Sequence, residues 1–185
     1  LRFRLAARDE GSQLAITPSI TFSTRLGGDG AHTRNDIVVD AQGNAYFVAN
    51  TAATNYPVVD GFQGDQPGGD IVVTKVAADG SSYIYSTYLG GDGGEAGYGI
   101  AVAPNGAVTI VGSTDSTNYP VTGGVQTTRA GPGDGVITRL SPSGNSLVFS
   151  TLLGGSAYDY LFAIATDSSD SIYVTGLTSS PDFPN

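Results

Sequence analysis

The sequence predicts an all-β fold of propeller-type blades, each built from four short antiparallel strands within a repeat of about 63 residues. Three observations carry that reading. The stretch Phe22-Ser23-Thr24-Arg25-Leu26-Gly27-Gly28 returns as Tyr85-Ser86-Thr87-Tyr88-Leu89-Gly90-Gly91 and again as Phe149-Ser150-Thr151-Leu152-Leu153-Gly154-Gly155, and a fixed period of this length marks a repeat architecture. The 27 glycines and 9 prolines fall between short apolar runs at recurring phases, as turn punctuation does. The two runs after each Gly-Gly are apolar at nearly every position, the pattern of strands buried on both faces and not of a half-solvated sheet.

Taken in order, residues 1–17 read as a hairpin outside the repeat. Leu1, Phe3 and Leu5 alternate with Arg2 and Arg4, a turn-like Arg8 to Ser12 follows, and Leu14-Ala15-Ile16 closes it. This segment is the tail of a preceding domain or a pairing arm, and Pro18 separates it from the repeats at 18–185. Residues 20–26 are then an orphan outer strand. Next come two strands joined by a hairpin, Ile37 to Asp40 and Ala45 to Ala49, which reappear as Ile100 to Ala103 with Val108 to Val111, and as Ile164 to Asp167 with Ile172 to Thr175. A long connection carrying Asn55-Tyr56-Pro57, Asn118-Tyr119-Pro120 or Asp182-Phe183-Pro184 follows each pair. A third strand, Ile71 to Val76 or Val136 to Leu140, and a short turn lead back into the opening stretch, which is the fourth and outer strand. Blades therefore span about 36–89 and 99–153, with a partial blade at 163–185. Since closed propellers have ~4–8 blades, the chain reads as an incomplete propeller, a piece of something longer.

The outer-strand copies, the Gly97-Tyr98-Gly99-Ile100 entry, the Gly43-Asn44-Ala45-Tyr46 hairpin, the Asn-Tyr-Pro loop and Gly69-Asp70-Ile71-Val72 together resemble the SBBP β-propeller repeat family over residues 20–185. The resemblance implies a large secreted or surface-attached bacterial protein, and it implies fold and location, not a reaction. The family pattern places an acidic residue shortly after Gly-Gly; the aligned positions here are His32, Glu95 and Asp159, so the first copy departs.

Composition narrows the function. A formal charge of −9 argues against nucleic acid, whose backbone needs clustered Lys and Arg. No run of about 18 apolar residues exists to span a membrane as a helix. With no cysteine and one histidine, the parts of nucleophilic catalysis are missing, and His32 reads as a solvated loop side chain. Gly91-Asp92-Gly93-Gly94 imitates a dinucleotide loop, but a strand follows it where a helix N-terminus is needed.

Strand reversal puts both long connections on one face, and that face holds most of the acids. The candidate binding residues there are Asp29, His32, Asp36, Tyr56, Asp92, Glu95, Tyr119 and Asp159. Tyr56 and Tyr119 either stack on a ligand or plug a gap between blades, and their recurrence at one phase favours packing. No cofactor is expected; calcium is the metal the loop chemistry would suit, at Asp29, Asp92, Glu95 and Asp159, although no Asp-x-Asp-x-Asp-Gly run occurs. The expected function is a non-catalytic, extracellular or cell-surface adhesion-type interaction module. Its partners would be further blades, copies of itself, or protein or glycan ligands. The alternatives are a subunit that closes a ring or filament by strand or blade complementation, with residues 1–17 as donor, and a carbohydrate-binding or polysaccharide-degrading propeller.

Overall fold

A computed structural model describes residues 22–184; the 1–17 hairpin lies outside the described residues. Among the described residues, ten strands form three antiparallel sheets. The first holds β1 (His32–Val39), β2 (Ala45–Thr51), β3 (Asp70–Val76) and β4 (Tyr83–Leu89) in that order. The second holds β5 (Glu95–Val102), β6 (Val108–Thr114), β7 (Asp134–Leu140) and β8 (Leu147–Leu153). The third pairs β9 (Asp159–Thr166) with β10 (Ile172–Thr178). The described residues thus build two four-stranded blades and the first two strands of a third, with no helix among them. This is the all-β incomplete propeller that the repeat predicts.

The first strand of each sheet starts at His32, Glu95 and Asp159, about four residues before the sequence-based blade bounds of 36, 99 and 163. A bulge accounts for the difference. Asn35, Tyr98 and Phe162 are each the extra residue skipped by the register with the second strand, and a bulge interrupts the apolar pattern by which a strand is recognised.

The sheets stack through their first strands. β5 lies against β1, β2 and β3, and β9 lies against β5, β6 and β7. Tyr46, Val48, Ile71, Val73, Tyr85 and Leu89 of the first blade join Ile100, Val108, Ile110 and Val136 of the second in one buried cluster. Each such aliphatic side chain contributes about 1.5–3 kcal/mol by leaving water. Polar bonds cross the same junction. Asn50 Oδ1 accepts the Gly97 amide at 2.8 Å, and Asp36 Oδ2 accepts the Ile100 amide at 3.1 Å. Between the second and third blades, Arg139 pairs with Asp170.

Residues 22–28 form no strand, so the expected outer strand is not made over the described part of 20–26. A strand needs a ladder partner, and none lies beside this stretch among the described residues. It is nevertheless held in an outer-strand place. Phe22 packs on Gly80 as Tyr85 packs on Gly144, at the same point of the turn in the following blade. The Tyr83 hydroxyl donates to the Arg25 carbonyl at 2.9 Å, and Leu26 packs against the cluster of Ala49, Tyr56, Val72 and Tyr88.

Candidate functional site

The long connections meet on one face, and one contact repeated three times knits them together. The Asn55 side-chain oxygen accepts the Asp29 amide at 2.8 Å, Asn118 accepts the Asp92 amide at 2.7 Å, and Asp182 accepts the Ser156 amide at 2.8 Å. The first residue of each Asn-Tyr-Pro or Asp-Phe-Pro loop therefore holds the loop that follows Gly-Gly. In the second copy the Asp92 carboxylate answers by accepting the Thr117 amide and hydroxyl at 2.7 and 2.6 Å, and those bonds hold its carboxyl below the usual range.

The position three residues further on has a second fixed task. Glu95 Oε2 accepts the Gly91 amide at 3.0 Å, and Asp159 Oδ2 accepts the Gly155 amide at 2.8 Å. Glu95 also accepts the hydroxyls of Thr114 and Ser116 at 2.5 Å each, and Asp159 that of Ser180 at 2.8 Å. His32 fills the same role. Its Nε2 accepts the Gly28 amide at 2.8 Å, and Nδ1 lies 2.8 Å from the Thr51 hydroxyl. The reading of His32 as a solvated side chain is thus corrected: it is half-buried at the start of β1 because the Gly-Gly turn needs an acceptor there. A neutral imidazole meets that need with less desolvation cost than a carboxylate.

Tyr56 and Tyr119 are buried, Tyr119 with only 4% of its surface exposed. The Tyr119 hydroxyl lies 2.8 Å from the Thr138 hydroxyl, which lies 2.9 Å from Ser150 of the outer strand. Tyr56, Thr74 and Ser86 repeat the chain at 3.1 and 2.9 Å. Burial pushes the Tyr56 hydroxyl up to about 12 and that of Tyr119 further. These rings plug the blade, the packing alternative; Tyr119 lines neither cleft described below, and Tyr56 reaches one only with its last 5% of exposed surface.

Of the candidate residues, Asp92, Glu95 and Tyr119 serve one blade and its junction, as do His32 and Tyr56 in the first copy. Asp36 belongs to the blade interface. Asp29, Asp92, Glu95 and Asp159 are divided among three loops, and no group of three acidic or histidine side chains converges among the described residues. Sequence reasoning missed Gln63 and Gln126, which accept the Gly90 and Gly154 amides at 3.1 and 3.0 Å. Their 63-residue separation, one repeat period, was the available signal. It also missed Asp70. A side-chain carbon added to Gly90 would sit 1.8 Å from Asp70 Oδ1 and 2.7 Å from Glu95 Oε2, so glycine is what lets two buried carboxyls approach across the junction. Asp70 Oδ2 accepts the Gln66 amide at 3.0 Å, while Oδ1 has no partner. Burial, with added repulsion from Glu95 and Asp65, raises the Asp70 carboxyl to about 6 despite the Gln66 bond.

Two clefts open beside this framework. One of about 830 Å³ runs between residues 24–28 and the outer face of β1, with Asn35, Asp36, Ile37, Phe47 and Tyr56 on its walls. A smaller one of about 280 Å³ lies where Tyr158 and Tyr160 face Gly94, Ala96 and Asp115 of the second blade.

No curated protein matches the chain. Residues 148–184 match the family described as SBBP, beta-propeller repeat. That span runs from β8 through Gly154-Gly155, β9 and β10 to Pro184, and so covers the outer strand of one blade, the crossover and the first two strands of the next. The chain therefore carries an SBBP β-propeller repeat at residues 148–184, laid on the same plan as the two copies before it.

Proposed function

We propose that the chain is a non-catalytic β-propeller module of a secreted or cell-surface bacterial protein, whose long-loop face contacts protein or glycan partners in adhesion. The observation that carries this reading is the threefold Asn/Asp-to-amide contact, which fixes the two long connections to each other and makes that face a pre-ordered surface. Pre-ordering lowers the entropic cost of contact. Its exposed acids, Asp29 and Asp65 among them, give it an excess of negative charge within a chain of net charge −9, which steers basic partners and repels anionic ones. Asp92, Glu95, Asp159 and Asp182 of the face instead give oxygens to loop amides and hydroxyls, an architectural use. The test is surface plasmon resonance of the 185-residue chain against a panel of extracellular-matrix proteins and glycans, in low and high salt. Binding that weakens on Asp29→Asn with Asp65→Asn supports the reading, and binding indifferent to both opposes it.

Self-assembly is a second reading, favoured by the open side of the third sheet. Tyr173 and Leu177 of β10 are 59% and 55% exposed, and the place beside residues 22–28 is free of any strand among the described residues. Another blade has the shape and chemistry to meet either surface. Size-exclusion chromatography with light scattering separates the readings: a concentration-independent monomer opposes assembly, and a ring or filament supports it.

A further inference from the structure

The third blade breaks the repeat in one place. Tyr158, Tyr160 and Phe162 alternate from the Gly-Gly loop into β9, where the first blade has Ala31, Thr33 and Asn35 and the second has Gly94, Ala96 and Tyr98. Two blades built on the same plan do without rings at the Tyr158 and Tyr160 positions, so the fold does not require those two. The rings are also not spent on a core. Tyr158, which lines the cleft between the second and third blades, is 49% exposed.

Their geometry makes a platform. Tyr158 and Tyr160 are nearly parallel, with centroids 6.2 Å apart and planes at 10°, and Tyr160 and Phe162 repeat this at 6.0 Å and 3°. Tyr158 at the end of this stack keeps about half of its surface exposed, so part of the aromatic area stays open. Tyr98 and Phe162 meet edge to face with centroids 5.1 Å apart, which carries the aromatic contact onto the second blade. Opposite stand Gly69, Gly94, Ala96 and Gly133, whose small size leaves the cleft of about 280 Å³. That lies just below the ~300–1,000 Å³ of sites for drug-sized molecules, and suits one ring-sized unit.

The polar lining sets the class of ligand. The hydroxyls of Tyr98, Tyr158 and Tyr160 make no hydrogen bond among the described residues, and Ser113 adds a fourth hydroxyl to the lining. Asp115 holds the Gly94 amide with Oδ1, leaving Oδ2 as an acceptor, while Glu95 spends both oxygens on its own blade. No lysine or arginine lines the cleft, so phosphate, sulfate and uronate groups find no counter-charge. Flat apolar area ringed by hydroxyls and one acceptor is what the two sides of a sugar ring match: C–H groups on the face and hydroxyls at the rim. We propose that the cleft of Tyr98, Tyr158, Tyr160 and Asp115 binds a neutral pyranose unit of a glycan.

The test is calorimetric titration of the 185-residue chain with tetrasaccharides of β-1,4-glucan, β-1,3-glucan, α-1,4-glucan, mannan and galactan, with tetralysine and oligogalacturonate as charged probes. The expected result is saturable binding of at least one neutral series, weakened at least tenfold by Tyr158→Ala and by Tyr160→Ala, with melting temperatures recorded for each variant. Ala96→Leu, which fills the opposite wall and removes no ring, is expected to weaken the same ligand by a similar factor and covers the case in which a tyrosine variant fails to fold. The proposal is overturned if no neutral series binds, if tetralysine alone binds, or if binding survives both a folded tyrosine variant and Ala96→Leu unchanged.

Discussion

The hydroxyls of Tyr119 and Thr138 lie 2.8 Å apart inside the second blade, tying the Asn-Tyr-Pro loop to the third strand. Because Ser150 continues the chain of hydroxyls and itself donates to the Pro120 carbonyl at 2.7 Å, the loop, the third strand and the outer strand share one buried polar path. Removing a ring there opens a cavity, whereas removing only its hydroxyl breaks one bond. Tyr119→Ala is expected to cost about 3–5 kcal/mol and Tyr119→Phe about 1 kcal/mol in urea unfolding. Equal, negligible costs for both would mean that the ring does not plug the blade.

The Asp70 carboxyl gives the junction between the first two blades a pH dependence of unusual sign. Its folded pKa, about 6, lies above the ordinary aspartate value of 3.8, so the folded state holds that proton more tightly than the unfolded chain. The stabilisation is complete below 3.8 and is lost as pH rises through about 6. Glu95 is also raised by burial and acts in the same direction. Asp92, Asp79, Asp167 and Asp182 are lowered and act below 3.8, outside this window. Thermal melts should therefore show greater stability at pH 5 than at pH 7.5. Asp70→Asn, which keeps an acceptor for the Gln66 amide and can donate toward Glu95, should raise the melting temperature at pH 7.5 and flatten the dependence. A wild-type melting temperature that falls steadily from pH 7.5 to 5, unaffected by Asp70→Asn, would contradict the assignment.

Gly90 is the residue that permits this approach of carboxyls. With an added carbon 1.8 Å from Asp70 Oδ1, Gly90→Ala must push the buried Asp70 aside, and overpacking of this kind costs about 1–3 kcal/mol. Gly64, with nothing within 4 Å of an added carbon, is the control: Gly64→Ala should leave the urea midpoint nearly unchanged. Parity between the two variants would show that the Gly-Gly turn is not the tight crossing described.

Much of this was legible in the sequence, for a physical reason. Strand and turn chemistry is local, and three copies of Ser-Thr-x-Leu-Gly-Gly state it three times. The bulges at Asn35, Tyr98 and Phe162 were not legible, because one skipped residue shifts the pattern without changing composition. The site was harder. Asp92 and Glu95 looked like free ligands because a carboxylate in a Gly-rich loop reads the same whether it faces solvent, caps an amide four residues back as Glu95 does, or holds the facing loop as Asp92 does. Asp70 escaped notice since its partner Glu95 comes from the next blade. The aromatic run at Tyr158 and Tyr160 was visible in the residues, yet it stands out only once the blades are superposed and the other two prove to have small side chains there.

The long-loop face is a framework in which Asn55, Asn118 and Asp182 lock adjacent connections together. Native-state hydrogen exchange on the wild-type chain and on Asn118→Ala tests it most directly. The account predicts that the Asp92, Gly93, Gly94 and Thr117 amides exchange slowly and together in the wild type, and that Asn118→Ala releases all four while lowering stability by about 1 kcal/mol. Fast, independent exchange of these amides in the wild type, or a variant in which only one of them changes, would contradict it.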